Sequence, residues 1–148
     1  GRVAWGNAPM DDPAAVCLVE PRLLHTRDEE GSWWRIVDVS RALAQRGYQH
    51  DEDLVVQISG DDLADWNNGC WRVRSQVAAD GTSAAQVTAS TQSPDVALSI
   101  RSMAVLFGGM YNARQLTSWG LLAGDADNIR RFDALMATQH APHCPDHY

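Results

Sequence analysis

The sequence predicts an α+β fold: a single mixed, mostly antiparallel sheet of about five strands, with helices packed on one face. Three observations lead there. Alternation of apolar and polar residues recurs between residues 33 and 100. The pair Asp80-Gly81, standing between two such segments, is a strong hairpin signal. Beyond Arg101 the apolar spacing becomes helical, with Gly108-Gly109 and Gly120 at segment ends.

Residues 1–12 carry Gly, Asn, Pro and a double Asp, and are expected to be a linker or the tail of a preceding domain. Residues 13–25 are apolar enough to pack, as a short helix broken at Pro21, and residues 25–32 form a charged loop. Residues 33–39 are expected as a strand, with Trp33, Arg35, Val37 and Val39 on one side and Trp34, Ile36 and Asp38 on the other. It runs straight into a short helix that ends near Gly47, a place where positive φ is often required. Asp38 stands where the periodicity changes from two to about 3.6. A carboxylate there either caps the helix or faces a ligand.

A second strand over residues 53–60 places Leu54, Val56 and Ile58 on one face. An acidic loop, residues 61–68, is read as solvated. Residues 69–76 and 83–90 form the hairpin, and Ser93-Pro94 turns into a last strand over 95–100 with Val96, Leu98 and Ile100 inward. Helices follow over residues 101–107 and 112–119, then one capped by Asp125 whose buried stripe is Ile129, Phe132, Leu135 and Met136. Pro142 and Pro145 prevent the tail from continuing as a helix.

A chain of 148 residues is long enough for one domain that buries about two-thirds of its unfolded surface. No apolar run approaches the ~20 residues of a membrane span, and the first residues carry no signal-peptide core. The chain starts at Gly1 rather than Met, so a fragment or a trimmed chain is expected. The net charge of −7 argues against nucleic acid as a partner. It favours solubility, and it would suit an acidic cavity for a cationic substrate. All 12 basic residues are Arg, which excludes a Schiff-base or P-loop lysine. Cys17, Cys70 and Cys144 are odd in number and widely spaced, as expected of reduced thiols in a cytoplasmic protein.

Candidate chemistry is sparse. His140, His143, Cys144 and His147 resemble a metal cluster on paper, but prolines spoil helical spacing and no upstream Cys/His pair completes a zinc site, so no metal is expected. Asp61, Asp62 and Asp65 lack the alternate-position pattern of a calcium loop. No Gly-x-Ser-x-Gly elbow and no spaced acid pair occurs. Most of the six tryptophans are expected in the core, with one or two lining a pocket, Trp34 first among them. The residues alone give a soluble α+β domain with one interesting carboxylate, and no reaction.

The segment Trp34-Arg35-Ile36-Val37-Asp38-Val39-x-x-Ala42-Leu43-x-x-Arg46-x-Tyr48 resembles the C-terminal domain of the enhanced intracellular survival (Eis) family of GNAT N-acetyltransferases. Glu20-Pro21-Arg22 resembles the start of that domain, and Asp65-Trp66-Asn67-Asn68-Gly69-x-Trp71-Arg72-Val73 its Trp-Asn-x-Gly-x-Trp-Arg hairpin. The run from Asp95-Val96-Ala97-Leu98-Ser99-Ile100-Arg101 through Phe107-Gly108-Gly109 matches its strand-to-helix unit, and Ala141-Pro142-x-Cys144-Pro145 with a terminal aromatic matches its end. The likeness covers residues 12–148; each motif is weak alone, and five in the correct order are fairly specific.

The resemblance implies a sterol-carrier-protein-like fold over residues 13–148, following GNAT domains that this sequence does not include. It implies acetyl transfer from acetyl-CoA to amines such as aminoglycosides or protein lysines, in a hexameric homo-oligomer. Acetyl-CoA belongs to the first domain, so this chain is expected to bind no cofactor and to be inactive alone. The family's catalytic base is its C-terminal carboxylate, here the main-chain carboxylate of Tyr148. Tyr148 stands where the family usually has Phe, His143 where Trp is expected, and His147 where an acid can occur. Asp38, His147 and Trp34 are the substrate-facing candidates. Two other readings stay open: a free-standing sterol-carrier-like module that binds a lipid or other apolar ligand, and a domain serving only interaction or oligomerisation. A deep apolar tunnel would favour the first, and an exposed apolar sheet face with a surface-lying tail the second.

Overall fold

The computed structural model describes residues 4–6, 8–27 and 33–144. Its centre is a five-stranded sheet of β1 (Glu52–Ser59), β2 (Gly69–Val77), β3 (Ser83–Ser90), β4 (Val96–Ser99) and β5 (Leu122–Gly124), in the order β3-β2-β1-β4-β5. β1 pairs antiparallel with β2, and β2 with β3; β4 pairs parallel with β1 and antiparallel with β5. The sheet is therefore mixed and mostly antiparallel, as the alternation predicts. The hairpin closes through residues 78–82, where Gly81 adopts φ 83° and Ala78 N–H donates to the Thr82 carbonyl at 2.8 Å.

The helices are α1 (Ala14–Cys17), α2 (Val39–Gln45), α3 (Ile100–Gly108), α4 (Ala113–Ser118) and α5 (Ala126–Leu135). Register explains the core. Leu54 opposes Val73, Val73 opposes Val87, Val56 opposes Val96, and Ile58 and Leu122 both oppose Leu98, so all share one face. Against that face pack Val39 and Leu43 of α2, Met103 and Leu106 of α3, Leu116 of α4, and Phe132 and Leu135 of α5. The predicted stripe of α5 is buried, Met136 included. Ser99 ends β4 and caps α3 by accepting from Ser102 N–H, so the strand passes into the helix without a loop.

Five expectations need correction. None of the six tryptophans is buried in the core: Trp5, Trp33, Trp34, Trp66 and Trp119 are exposed, and Trp71 is partly buried against it. Residues 33–39 are extended but form no strand; Ile36 and Val39 are buried, whereas Trp33 and Val37 are exposed. Their backbone groups are met by a side chain instead of a neighbouring strand, because Asn67 accepts from Val39 N–H and donates to the Val37 carbonyl. The fifth strand is β5, three residues long and too short to show a period. Residues 13–25 do form α1 and a 3-10 turn at Pro21–Leu23, yet Val16, Val19 and Leu23 stand exposed and off the core. Finally, α2 ends on Arg46 in extended geometry (φ −73°, ψ 150°), so Gly47 serves no left-handed cap.

Candidate functional site

The sharpest polar cluster lies between β1 and β2, in the loop predicted to be solvated. Asp61 is instead buried, with its side chain 1% exposed. Asn67 Nδ2 donates to its Oδ2 at 2.8 Å, and Arg35 Nη2 donates to its Oδ1 at 2.5 Å. Leu63 and Ala64 N–H groups also donate to Oδ1. The Asn67 amide, followed by the Arg35 guanidinium, holds this carboxyl below its ordinary range. Asn68 brackets the same loop, accepting from Asp61 N–H and donating to the Asp61 carbonyl. Trp66 Nε1 donates to the Val37 carbonyl, and Trp71 Nε1 to the Asn67 carbonyl. The Asp-Trp-Asn-Asn-Gly run is thus a polar clamp that fastens residues 33–38 to the sheet.

That clamp sets the two predicted site residues that the structure describes. Asp38 caps α2: its Oδ1 accepts from Arg41 N–H and from Ser40 Oγ, both at 2.9 Å. The Arg41 amide first and the Ser40 hydroxyl second lower its pKa. Trp34 is half exposed and lies so close over Gly108 that an added Cβ would collide with its ring at Cζ2. Its ring meets Phe107 edge-on at a centroid distance of 6.1 Å.

A groove of about 300 Å³ opens beside this point, between the α3–α4 turn and the chain leaving α5. Gly109 starts the turn in left-handed geometry (φ 77°), and Thr138 packs so closely that a Cβ there would meet its Oγ1 at 2.5 Å. Tyr111, Asn112, Gln115, Asp133, Gln139 and His140 line the groove, so its walls are largely polar. Asp133 accepts from Ala113 N–H at 2.7 Å and from Arg114 Nε at 2.9 Å. Asp11 accepts from Ala141 N–H, and His140 Nδ1 lies 3.6 Å from the same carboxylate. Arg46 supports the far wall by donating through Nη2 to the carbonyls of Met136 and Ala137.

Tyr148 and His147 lie outside the described residues, so their places in a site stand as sequence readings. The described chain leaves the groove through residues 141–144. Asp61, Arg46 and Asp133 were not singled out from sequence as site residues. Arg46 was visible in the Arg-x-Tyr spacing, but its partners stand on a distant helix. Among the described residues, no three His, Cys, Asp or Glu side chains gather to hold a metal ion, and no helix is long and apolar enough to cross a membrane.

Comparison with known proteins follows the same outline. An uncharacterized N-acetyltransferase of Streptomyces avermitilis is 32% identical over 103 residues, covering 70% of this chain and 24% of its own length. One from Streptomyces griseus is 29% identical over 146 residues, covering 95% of this chain and 33% of its own. The crystal structure of Eis1 from Mycobacterium abscessus superposes with a TM-score of 0.75 at 27% identity, over 97% of this chain and 35% of that one. The chain thus spans about a quarter to a third of these relatives. The sterol carrier protein domain model matches residues 39–145, and with the sheet, its helical layer and these relatives it shows that the chain belongs to the sterol carrier protein domain family.

Proposed function

We propose that this chain is the C-terminal domain of an acetyl-CoA-dependent N-acetyltransferase of the Eis type, acting on amines such as aminoglycosides or lysines. In this reading it contributes a wall of the substrate pocket, the carboxylate of Tyr148 as base, and contacts within a cytoplasmic homo-oligomer. The observation that carries it is the likeness of nearly the whole chain to one third of Eis1, alongside relatives named N-acetyltransferases. Acetyl-CoA is left to the part of the longer protein that this chain does not span.

The chemistry suits a carboxylate. An amine reaches the site as an ammonium and must lose a proton before it attacks the thioester. A C-terminal carboxylate attracts the cation and accepts the proton, directly or through water. Its ordinary pKa is near 3.5, and removal from water raises it toward a useful base. Because the group is main-chain, Tyr in place of Phe keeps it. The groove is lined mainly by polar side chains rather than by a fatty surface, which favours an amine over a lipid as its occupant. Exposed Trp33, Val37, Leu63 and Trp66 around the clamp offer apolar surface for the remainder of the longer protein.

The test is made on the complete enzyme. Deleting Tyr148, or extending the chain beyond it, should cut acetyl transfer by orders of magnitude while acetyl-CoA binding persists. Unchanged turnover in the extended protein would reject the carboxylate base. This chain alone should transfer no acetyl group.

A further inference from the structure

The root of the C-terminal tail is gripped from three segments at once. Arg46, at the end of α2, reaches the residues just past α5: its Nη2 donates to the Met136 carbonyl at 2.8 Å and to the Ala137 carbonyl at 3.1 Å. The rings of Phe107, on α3, and Tyr48 lie beside the same cation. One residue on, Thr138 packs against Gly109 at the end of α3. Three further on, Ala141 N–H donates to Asp11 at 3.3 Å. Capping alone does not account for Arg46. The last carbonyls of a helix can be met by water or by a left-handed glycine. Here they hold a guanidinium that burial pushes below its usual pKa and that meets no carboxylate among the described residues, an arrangement that costs stability. What it fixes is the direction in which the chain departs. Residues 141–144 belong to no helix or strand, so no ladder of their own sets their path. Pro142 and Pro145 lock their own φ and favour extended geometry at Ala141 and Cys144. Seven residues follow Ala141 in the chain, a reach of no more than about 25 Å. A strap this short and stiff passes a shift at its root on to its tip.

We infer that Arg46 is a positioning residue: by holding Met136 and Ala137 it sets where the C-terminal carboxylate is delivered. The inference rests on the reading above, in which the carboxylate of Tyr148 is the base. A base has to meet the ammonium proton within hydrogen-bond distance, and a displacement of about 1 Å can cost about a hundredfold in rate. In this role Arg46 touches neither the amine nor acetyl-CoA. Its loss therefore acts on turnover and leaves the binding of acetyl-CoA alone.

The test uses the complete enzyme, with an aminoglycoside as acceptor, well below its melting temperature. Arg46→Met should lower kcat at least tenfold with KM for acetyl-CoA unchanged. Arg46→Lys, which keeps a cation beside the carbonyls, should recover most of the loss. The deficit should shrink as pH rises, because the amine then arrives neutral and needs no base. A cycle with deletion of Tyr148 decides the matter. Acting through the carboxylate, Arg46→Met should cost nothing more once Tyr148 is gone; an equal loss in both backgrounds is general damage and overturns the inference. Should Arg46→Met fail to fold, Thr138→Gly, at an exposed position, loosens the same root and is read in the same way. Turnover that survives deletion of Tyr148 rejects the reading above and the inference with it. Turnover lost on that deletion but kept in Arg46→Met rejects the inference alone.

Discussion

Arg46 and Met136 are joined through both main chain and side chain: Arg46 Nη2 donates to the Met136 carbonyl at 2.8 Å, and Nη1 lies 3.3 Å from the thioether sulfur. The guanidinium also sits over the rings of Tyr48 and Phe107, at 5.7 Å and 5.6 Å from their centroids. One side chain at the end of α2 thereby closes the C-terminus of α5, where carbonyls lack helical partners. Arg46→Met keeps the apolar stem and removes the donors. It is expected to cost about 2 kcal/mol, the scale of hydrogen bonds to a charged group. Chemical denaturation checks the cost. Faster amide exchange over residues 137–141 would show that the groove wall loosens with it.

Asn67 governs the other end of α2. Its side chain is fully engaged with Val39 N–H, the Val37 carbonyl and Asp61, and the residue is 1% exposed. Asn67→Ala strands a buried amide and a carboxylate at once, and should cost about 3 kcal/mol. Exchange should rise over residues 34–39 while β2 and β3 keep their protection. Uniform loss of protection would mean that the clamp is inseparable from the global fold.

How much of this was legible depends on how local each feature is. The stripe Ile129, Phe132, Leu135 and Met136 behind the Asp125 cap needs only one helix to be read, and the hairpin only Asp80-Gly81 between two alternating runs. Residues 33–39 misled because Ile36 and Val39, which alternation places on opposite sides of a strand, both dock in the core, and alternation does not say whether a neighbouring strand exists. β5 was silent because three residues carry no period. Asp61 was misread because its partners, Arg35 and Asn67, come from separate segments that only the fold brings together. Asp38 as a cap was readable from its own turn, whereas the contact of Trp34 with Gly108 joins distant parts of the chain.

That contact makes a testable pair. Gly108 is helical, and alanine there would ordinarily favour the helix by up to about 1 kcal/mol. Here the new methyl would occupy the place of the Trp34 ring. Gly108→Ala is therefore expected to shift tryptophan emission to the red and to yield none of that gain. In a Trp34→Ala background the same substitution should stabilise. A double-mutant cycle with no coupling would disprove the close approach.

Asp53 supplies the pH dependence. Its Oδ1 accepts from Arg72 Nε at 2.7 Å, and its Oδ2 from Arg72 Nη2 at 2.8 Å and Arg74 Nη2 at 2.9 Å. Arg72 first, and Arg74 after it, hold the carboxyl down to about 2. A depressed pKa means that the unfolded chain binds the proton more readily, so the stabilisation is complete above the unfolded value near 3.9 and is lost as pH falls toward 2. The side chain is 35% exposed, so solvent screening limits the contribution to about 1 kcal/mol. Asp53→Asn should therefore lower the melting temperature by about 2–4 °C at pH 7, with the same deficit down to about pH 4. The deficit should vanish as pH 2 is approached, and shrink at pH 7 in 1 M salt. A deficit that persists unchanged at pH 2 would assign the loss to packing on the open face of the sheet rather than to the ion pairs.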